Sequence, residues 1–172
     1  STAESGRKSR QAIRRMQSQN PGAAVAVCGC FSQVEPDQIT ALGADLVRGS
    51  GDKQSFVEDI AALLEQRAFS SLVIDDPFKR LTFEALPSGA VEHRTRAYLK
   101  IQDGCDNFCT YCIIPYARGR VRSLPVEAAT KEASRLNQEG FREIVLTGIE
   151  IASYGKDLRD GSDLGFITAA VM

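Results

Sequence analysis

The 172-residue chain has no tryptophan, a single histidine and only two methionines. With one histidine, a Ser/His/Asp triad has no local support. No glycine-rich loop of the Walker type is present either. No apolar run approaches the roughly 20 residues of a membrane-spanning helix, so no membrane partner is expected. The opening Ser1-Thr2-Ala3-Glu4 has neither an initiator methionine nor the apolar core of a signal peptide, which predicts a piece of a longer chain. An excess of one charge is also lacking: 21 basic against 22 acidic residues give a net charge of −1. Hydrophobic residues make up 43% and charged residues 25%, the balance of a folded chain rather than a disordered one.

The even total hides a pattern. Arg7, Lys8, Arg10, Arg14 and Arg15 crowd the first twenty residues against Glu4 alone, and Arg118, Arg120 and Arg122 cluster later. Between them, Glu35 to Glu65 holds seven acids and two bases, Arg48 and Lys53. Basic ends around an acidic middle are compatible with a polyanion partner.

Cysteine is scarce but concentrated. Of five, three fall in Gly104-Cys105-Asp106-Asn107-Phe108-Cys109-Thr110-Tyr111-Cys112, a C-x3-C-x2-C spacing. A secreted disulfide scaffold would be shorter and richer in cysteine, so the pattern predicts a reducing cytoplasm with thiolates free for metal. Three close thiolates can hold three corners of a 4Fe–4S cluster and leave the fourth iron open. The alternative is zinc completed by His93 or Cys30, although zinc sites favour separated pairs.

Periodicity places this loop. Residues 7–19 read as a helix with Ala12, Ile13 and Met16 on one face, ended by Asn20-Pro21-Gly22. Ala23–Val27 reads as a buried strand that takes in neighbouring Cys28, and Gly29-Cys30 as a loop. Pro36 opens a short helix, Asp45-Leu46-Val47 a short strand, and Asp52 caps a helix facing inward through Phe56, Ile60, Leu63 and Leu64. This predicts an open α/β domain over 1–66. Residues 67–93 lack sustained periodicity and read as a linker with one short strand at Leu72-Val73-Ile74, turns at Asp75-Asp76-Pro77 and Pro87-Ser88-Gly89, and an exposed His93.

A second domain is expected over 94–172. Ala97, Leu99 and Ile101 alternate with Tyr98, Lys100 and Gln102, a strand leading into the cysteine loop. Ser123 and Pro125 announce a helix with Val126, Ala129, Ala133 and Leu136 inside and Gly140 as its stop. Glu143-Ile144-Val145-Leu146 is the next strand, so the order is β-α-β with a parallel pair. The cysteine loop and Thr147-Gly148-Ile149-Glu150 then lie at adjacent carboxyl ends, where α/β sheets gather ligands. The apolar stretch from Ile167 to Met172 reads as a tail.

These residues carry a resemblance. The C-x3-C-x2-C run, with Tyr111 before its last cysteine, resembles the radical S-adenosylmethionine superfamily. Its flanks, from Lys100-Ile101-Gln102-Asp103-Gly104 to Ile113-Ile114-Pro115-Tyr116-Ala117-Arg118-Gly119, are similar to the methylthiotransferases. Arg118-Gly119-Arg120-Val121-Arg122-Ser123 and Leu146-Thr147-Gly148-Ile149 are most similar to the branch acting on threonylcarbamoyladenosine in tRNA. Lys8-Ser9-Arg10-Gln11 and Gly29-Cys30-Phe31-Ser32-Gln33 resemble that family's N-terminal domain, where such a Gly-Cys run carries the third ligand of a second 4Fe–4S cluster. Cys30 matches that ligand, and the other two would precede Ser1.

The resemblance implies a partial N-terminal α/β domain followed by the first β-α-β part of a partial TIM barrel. It implies two 4Fe–4S clusters in the full-length protein and S-adenosylmethionine as cosubstrate. The reaction would be radical transfer of a methylthio group to carbon two of the modified adenine beside the anticodon. The implied partners are a tRNA anticodon stem-loop and an electron donor such as flavodoxin or ferredoxin. Cys105, Cys109 and Cys112 would hold the first cluster, with Tyr111, Thr147 and Gly148 near S-adenosylmethionine. Arg7, Lys8, Arg10 and Arg118 would meet RNA, against plain readings as a solvated helix face and, for Arg118, a structural ion pair. Alternatives are the isopentenyladenosine tRNA branch, the ribosomal-protein branch, or a non-catalytic iron–sulfur or zinc protein. The 172 residues alone are expected to be inactive.

Overall fold

The computed structural model describes residues 3–66, 71–86 and 95–172. His93 and the Pro87-Ser88-Gly89 turn lie outside the described residues. The described chain is α/β with parallel strand pairing in both of its units.

The first unit comprises Ser1–Phe78 and Phe108–Arg118. Helix α1 (Ala3–Gln19) buries Gly6 and Ile13. Met16 is 63% exposed and Ala12 is exposed, so the inward face is not the one that hydrophobicity alone drew. It runs instead through Gly6, Ile13 and Gln17, whose Nε2 donates to the Leu42 carbonyl at 2.8 Å. Gly6 is the near-contact point, since a Cβ there would stand 3.2 Å from the Phe31 ring.

Strands β1 (Ala26–Val27), β2 (Leu46–Arg48) and β3 (Ser71–Val73) form a parallel sheet in the order 1-2-3. Helices α2 (Cys30–Val34) and α3 (Pro36–Thr40) connect the first two strands, and α4 (Lys53–Gln66) precedes the third. The short strand expected inside the 67–93 segment is thus the third strand of this sheet. Asp52 caps α4 by accepting from the Ser55 amide at 3.2 Å. Leu63 is buried in that helix, whereas Leu64 is 66% exposed because it falls one residue off the inward stripe. Ile13, Ile39, Ala44 and Val47 are the buried core, flanked by Val25, Val27, Phe31, Leu42 and Ile74.

The second unit comprises Lys79–Asn107 and Gly119–Met172. Strands β4 (Arg96–Lys100) and β7 (Glu143–Thr147) pair in parallel from Arg96↔Glu143 to Lys100↔Thr147. Helix α6 (Val126–Gln138) presses Ala129, Ala133 and Leu136 inward, as its 3.6 period predicts. Gly140 ends the turn with φ at +91°.

Two features depart from expectation. Between β4 and the cysteines lies β5 (Gln102–Asp103), which pairs antiparallel with β6 (Arg122–Ser123). Ser123 is therefore a strand residue and not a helix cap: its hydroxyl donates to Asp157 at 2.6 Å. Helix α7 (Leu164–Ala170) occupies the supposed tail, with Ile167 fully buried. Ala97, Leu99, Ile101, Leu124, Ala129, Ala133, Leu136, Phe141, Tyr154 and Ile167 make one core. Each fully buried Leu or Ile contributes about 1.5–3 kcal/mol.

Candidate cysteine-loop site

The loop begins where the β4–β7 ladder ends. The last backbone link runs from the Ile101 amide to the Thr147 carbonyl at 2.9 Å. The chain then enters the β5–β6 ribbon, and the Cys105 amide donates to the Gly119 carbonyl at 3.1 Å. That bond and the ribbon close the neck of the loop. Gly104 is required there: its φ is +74°, and a Cβ would overlap the Arg120 carbonyl oxygen.

Charge is packed at the same neck. Asp103 is 7% exposed and accepts from Lys100 Nζ at 2.6 Å and from the Gly104 amide at 2.9 Å. Arg122 Nη2 stands 3.8 Å from the same carboxylate, and Arg122 Nη1 donates to the Arg120 carbonyl at 2.9 Å. Lys100 also sits over the Phe83 ring at 5.2 Å. A buried carboxylate flanked by two cations and a backbone amide fixes its position.

The three motif cysteines stand differently. Cys105 is buried and belongs to the second unit, while exposed Cys109 and half-buried Cys112 belong to the first. None of the five cysteines is in a disulfide. Among the described residues, no three Cys, His, Asp or Glu side chains are gathered in a metal-holding group. As donors the thiols suit an iron cluster: three reduced sulfurs in one short loop and no fourth cysteine within it.

Within the first unit, helix α5 (Ile114–Arg118) starts two residues after Cys112 and packs on α2, the helix that opens at Cys30. Ser50 Oγ donates to the Ala117 carbonyl in that unit. Cys30 therefore lies at a helix start and not in the loop expected. Cys28 is exposed after β1 rather than buried in a strand, because β1 ends at Val27. Phe108 takes a left-handed φ of +46°, rare for a bulky side chain. It stacks on Phe78 at 6.1 Å and meets the Tyr116 ring edge-on at 5.8 Å, contacts that offset the strain.

The remaining residues divide. Tyr111 is 91% exposed. Thr147 is half-buried and Gly148 exposed, next to Gln102. Arg7 pairs with Glu4 at 2.6 Å, and Lys8 lies 4.0 Å from the same carboxylate. The guanidinium of Arg10 covers the Phe31 ring at 5.7 Å and donates to Gln38 at 3.1 Å, so it serves packing as well as charge. Arg118 is half-buried. A groove of about 590 Å³ along α6, β7 and α7 is lined by no thiol, imidazole or carboxylate side chain.

Sequence reasoning missed the buried polar residues around the neck: Gln102, Asp103, Arg122 and, in the first unit, Gln33. Gln33 Nε2 donates to the Asp75 carbonyl at 2.8 Å, and its Oε1 accepts from the Ser50 amide at 2.9 Å. The available signal was position. Both glutamines sit three residues from a motif cysteine, Gln33 after Cys30 and Gln102 before Cys105.

A thiol loop springing from the carboxyl end of a parallel strand defines a class, and the comparisons agree with it: residues 99–166 match the model of the radical SAM superfamily. The chain is 44% identical over 155 residues to the threonylcarbamoyladenosine tRNA methylthiotransferase MtaB of Bacillus subtilis, covering 90% of this chain and 34% of that protein. It is 38% identical over 164 residues to the MtaB of Thermotoga maritima, covering 95% and 36%. It is 40% identical over 150 residues to the tRNA-2-methylthio-N(6)-dimethylallyladenosine synthase of Pelotomaculum thermopropionicum, covering 85% and 33%. The chain belongs to the radical SAM methylthiotransferase family and spans about a third of the length of these curated relatives. Among the described residues, no helix is long and apolar enough to cross a membrane.

Proposed function

We propose that this chain is part of an enzyme that adds a methylthio group to threonylcarbamoyladenosine in tRNA, beside the anticodon. The observation that carries the reading is the Cys105-x3-Cys109-x2-Cys112 loop of free thiols, rooted at the carboxyl end of β4 beside the Thr147-Gly148 exit of β7. Relatives named for the threonylcarbamoyladenosine reaction support this branch at 38–44% identity, and the 40% identity to a dimethylallyladenosine synthase keeps the neighbouring substrate as the second reading.

In this reading Cys105, Cys109 and Cys112 would hold a 4Fe–4S cluster. When bound, the cluster and S-adenosylmethionine supply the radical chemistry. The chain's own work is positional. Asp103, Lys100 and Arg122 hold the loop neck, Gly104 lets the chain turn there, and Thr147-Gly148 offers backbone to the cosubstrate. Tyr111, exposed next to Cys112, would lie near S-adenosylmethionine. Cys30 would be a ligand of a second cluster, one that would supply sulfur, and α5, which follows Cys112, packs on the Cys30 helix α2 within the first unit. Arg7, Lys8, Arg10 and Arg118 contact the phosphates of the anticodon stem-loop. The partner implied for such a cluster is a cytoplasmic electron donor such as flavodoxin or ferredoxin.

Mass spectrometry of tRNA from a strain lacking the full-length gene tests the substrate. The expected result is loss of the methylthio group from threonylcarbamoyladenosine with the dimethylallyladenosine derivative intact. Loss of the latter instead assigns the other branch.

A further inference from the structure

We propose that Gln102 is a positioning residue, a buried amide strut that sets the Gly104-Cys105 entry of the cysteine loop against the Gly148–Glu150 turn. What it positions rests on the methylthiotransferase reading; the strut itself rests on geometry.

Gln102 is fully buried. Its Nε2 donates to the Asp103 carbonyl at 3.0 Å and to the Gly104 carbonyl at 2.7 Å, while Oε1 accepts from the Glu150 amide at 2.9 Å. A primary amide has two N–H donors and two acceptor lone pairs, so three of four sites are filled. The orientation is fixed by the partners: the nitrogen faces two carbonyls and the oxygen faces an N–H. Glutamate cannot replace it, because a carboxylate has no proton for the two carbonyls. Asparagine is one methylene too short to span the same gap.

The strut works where the sheet stops working. The β4–β7 ladder ends at Lys100↔Thr147, followed only by the Ile101–Thr147 link. Beyond it one chain turns into the β5–β6 ribbon and the other into the Gly148–Glu150 turn. The Gln102 side chain joins them past that point. Gly148 is shaped to it: a Cβ there would come 2.8 Å from Gln102 Oε1 and 2.9 Å from its Cβ. The two pieces so joined are the backbone before the first cluster thiol and the turn assigned to S-adenosylmethionine. Removing the strut should therefore spare cluster uptake and weaken cosubstrate binding.

The test uses the intact protein, loaded with iron anaerobically, and Gln102→Leu, which fills the volume without the hydrogen bonds. Expected are unchanged iron per chain, S-adenosylmethionine binding weakened about ten- to a hundredfold by the shift of the reduced-cluster electron paramagnetic resonance signal, and faster hydrogen exchange of the Glu150 amide. Gly148→Ala, whose Cβ would press on the Gln102 amide, should likewise speed exchange of the Glu150 amide even if Gln102→Leu fails to fold. Wild-type Glu150 exchange in Gly148→Ala, or wild-type affinity and Glu150 exchange in a folded Gln102→Leu, overturns the proposal. If the unmodified protein takes up iron but its signal ignores S-adenosylmethionine, the methylthiotransferase reading fails and the strut's role in binding falls with it. That outcome is told apart because it appears before any substitution is made.

Discussion

Tyr154 shows how one residue ties the second core to pH. It is 2% exposed, and its hydroxyl donates to the Leu124 carbonyl at 2.8 Å. Burial, then the negative charges of Asp160, Asp157 and Glu127, push its phenol up to about 12. In the unfolded chain a tyrosine titrates near pH ~10. Its neutral form is the one the fold holds, so its contribution to stability is complete below about pH 10 and falls as pH rises toward 12, where the unfolded state has already released the proton. Denaturant unfolding measured from pH 9 to 12 should show this decline. Tyr154→Phe should flatten it, at a cost of about 1 kcal/mol at neutral pH for the lost hydrogen bond. Equal slopes in the two proteins between pH 10 and 12 would remove Tyr154 as the cause.

Elements were legible where packing alone decides them. The 3.6 period of α6 and the alternation of β4 come from apolar side chains meeting one core, and a sequence displays that directly. Leu136 shows what such a position is worth. It is fully buried on α6 within the larger core, so Leu136→Ala should cost about 2–5 kcal/mol, read as a lower denaturant midpoint with an unchanged slope. A loss under about 1 kcal/mol would mean that the surrounding core closes over the gap. Elements set by polar partners were not legible. Gln102 and Ser123 look like exposed strand and cap residues in sequence, because glutamine and serine are usually outside. They are inside here because the Asp103 and Gly104 carbonyls and the Glu150 amide satisfy Gln102, and the Asp157 carboxylate satisfies Ser123. Met16 fails the opposite way: it is apolar yet outside, since α1 approaches its unit through Gly6 and not through bulk. The candidate site's thiols and strand ends can be read from sequence spacing, whereas its supports cannot, because partners such as the Glu150 amide for Gln102 and Asp157 for Ser123 lie far along the chain.

At the scale of the whole molecule, the thiol inventory limits what these 172 residues can hold. Five cysteines are present: three in the loop, plus Cys30 and the exposed Cys28. A 4Fe–4S cluster needs three protein thiolates to leave one iron open. On the proposed reading the loop would supply a complete set, whereas Cys30 would supply one ligand of a second set. Anaerobic reconstitution of these residues should therefore load about four irons and not eight, one cluster's complement. Cys105→Ala should take that iron away, since it removes a ligand from the complete set, while Cys30→Ala should leave it. If Cys30→Ala lowers the iron as far as Cys105→Ala does, Cys30 serves the loop cluster as a fourth ligand. The open iron then disappears, and with it the site for S-adenosylmethionine. Metal analysis that finds one zinc and no iron would replace the cluster by a structural metal centre. The two substitutions read together decide whether the loop is an open catalytic site or a closed one, and they do so without any measurement of turnover.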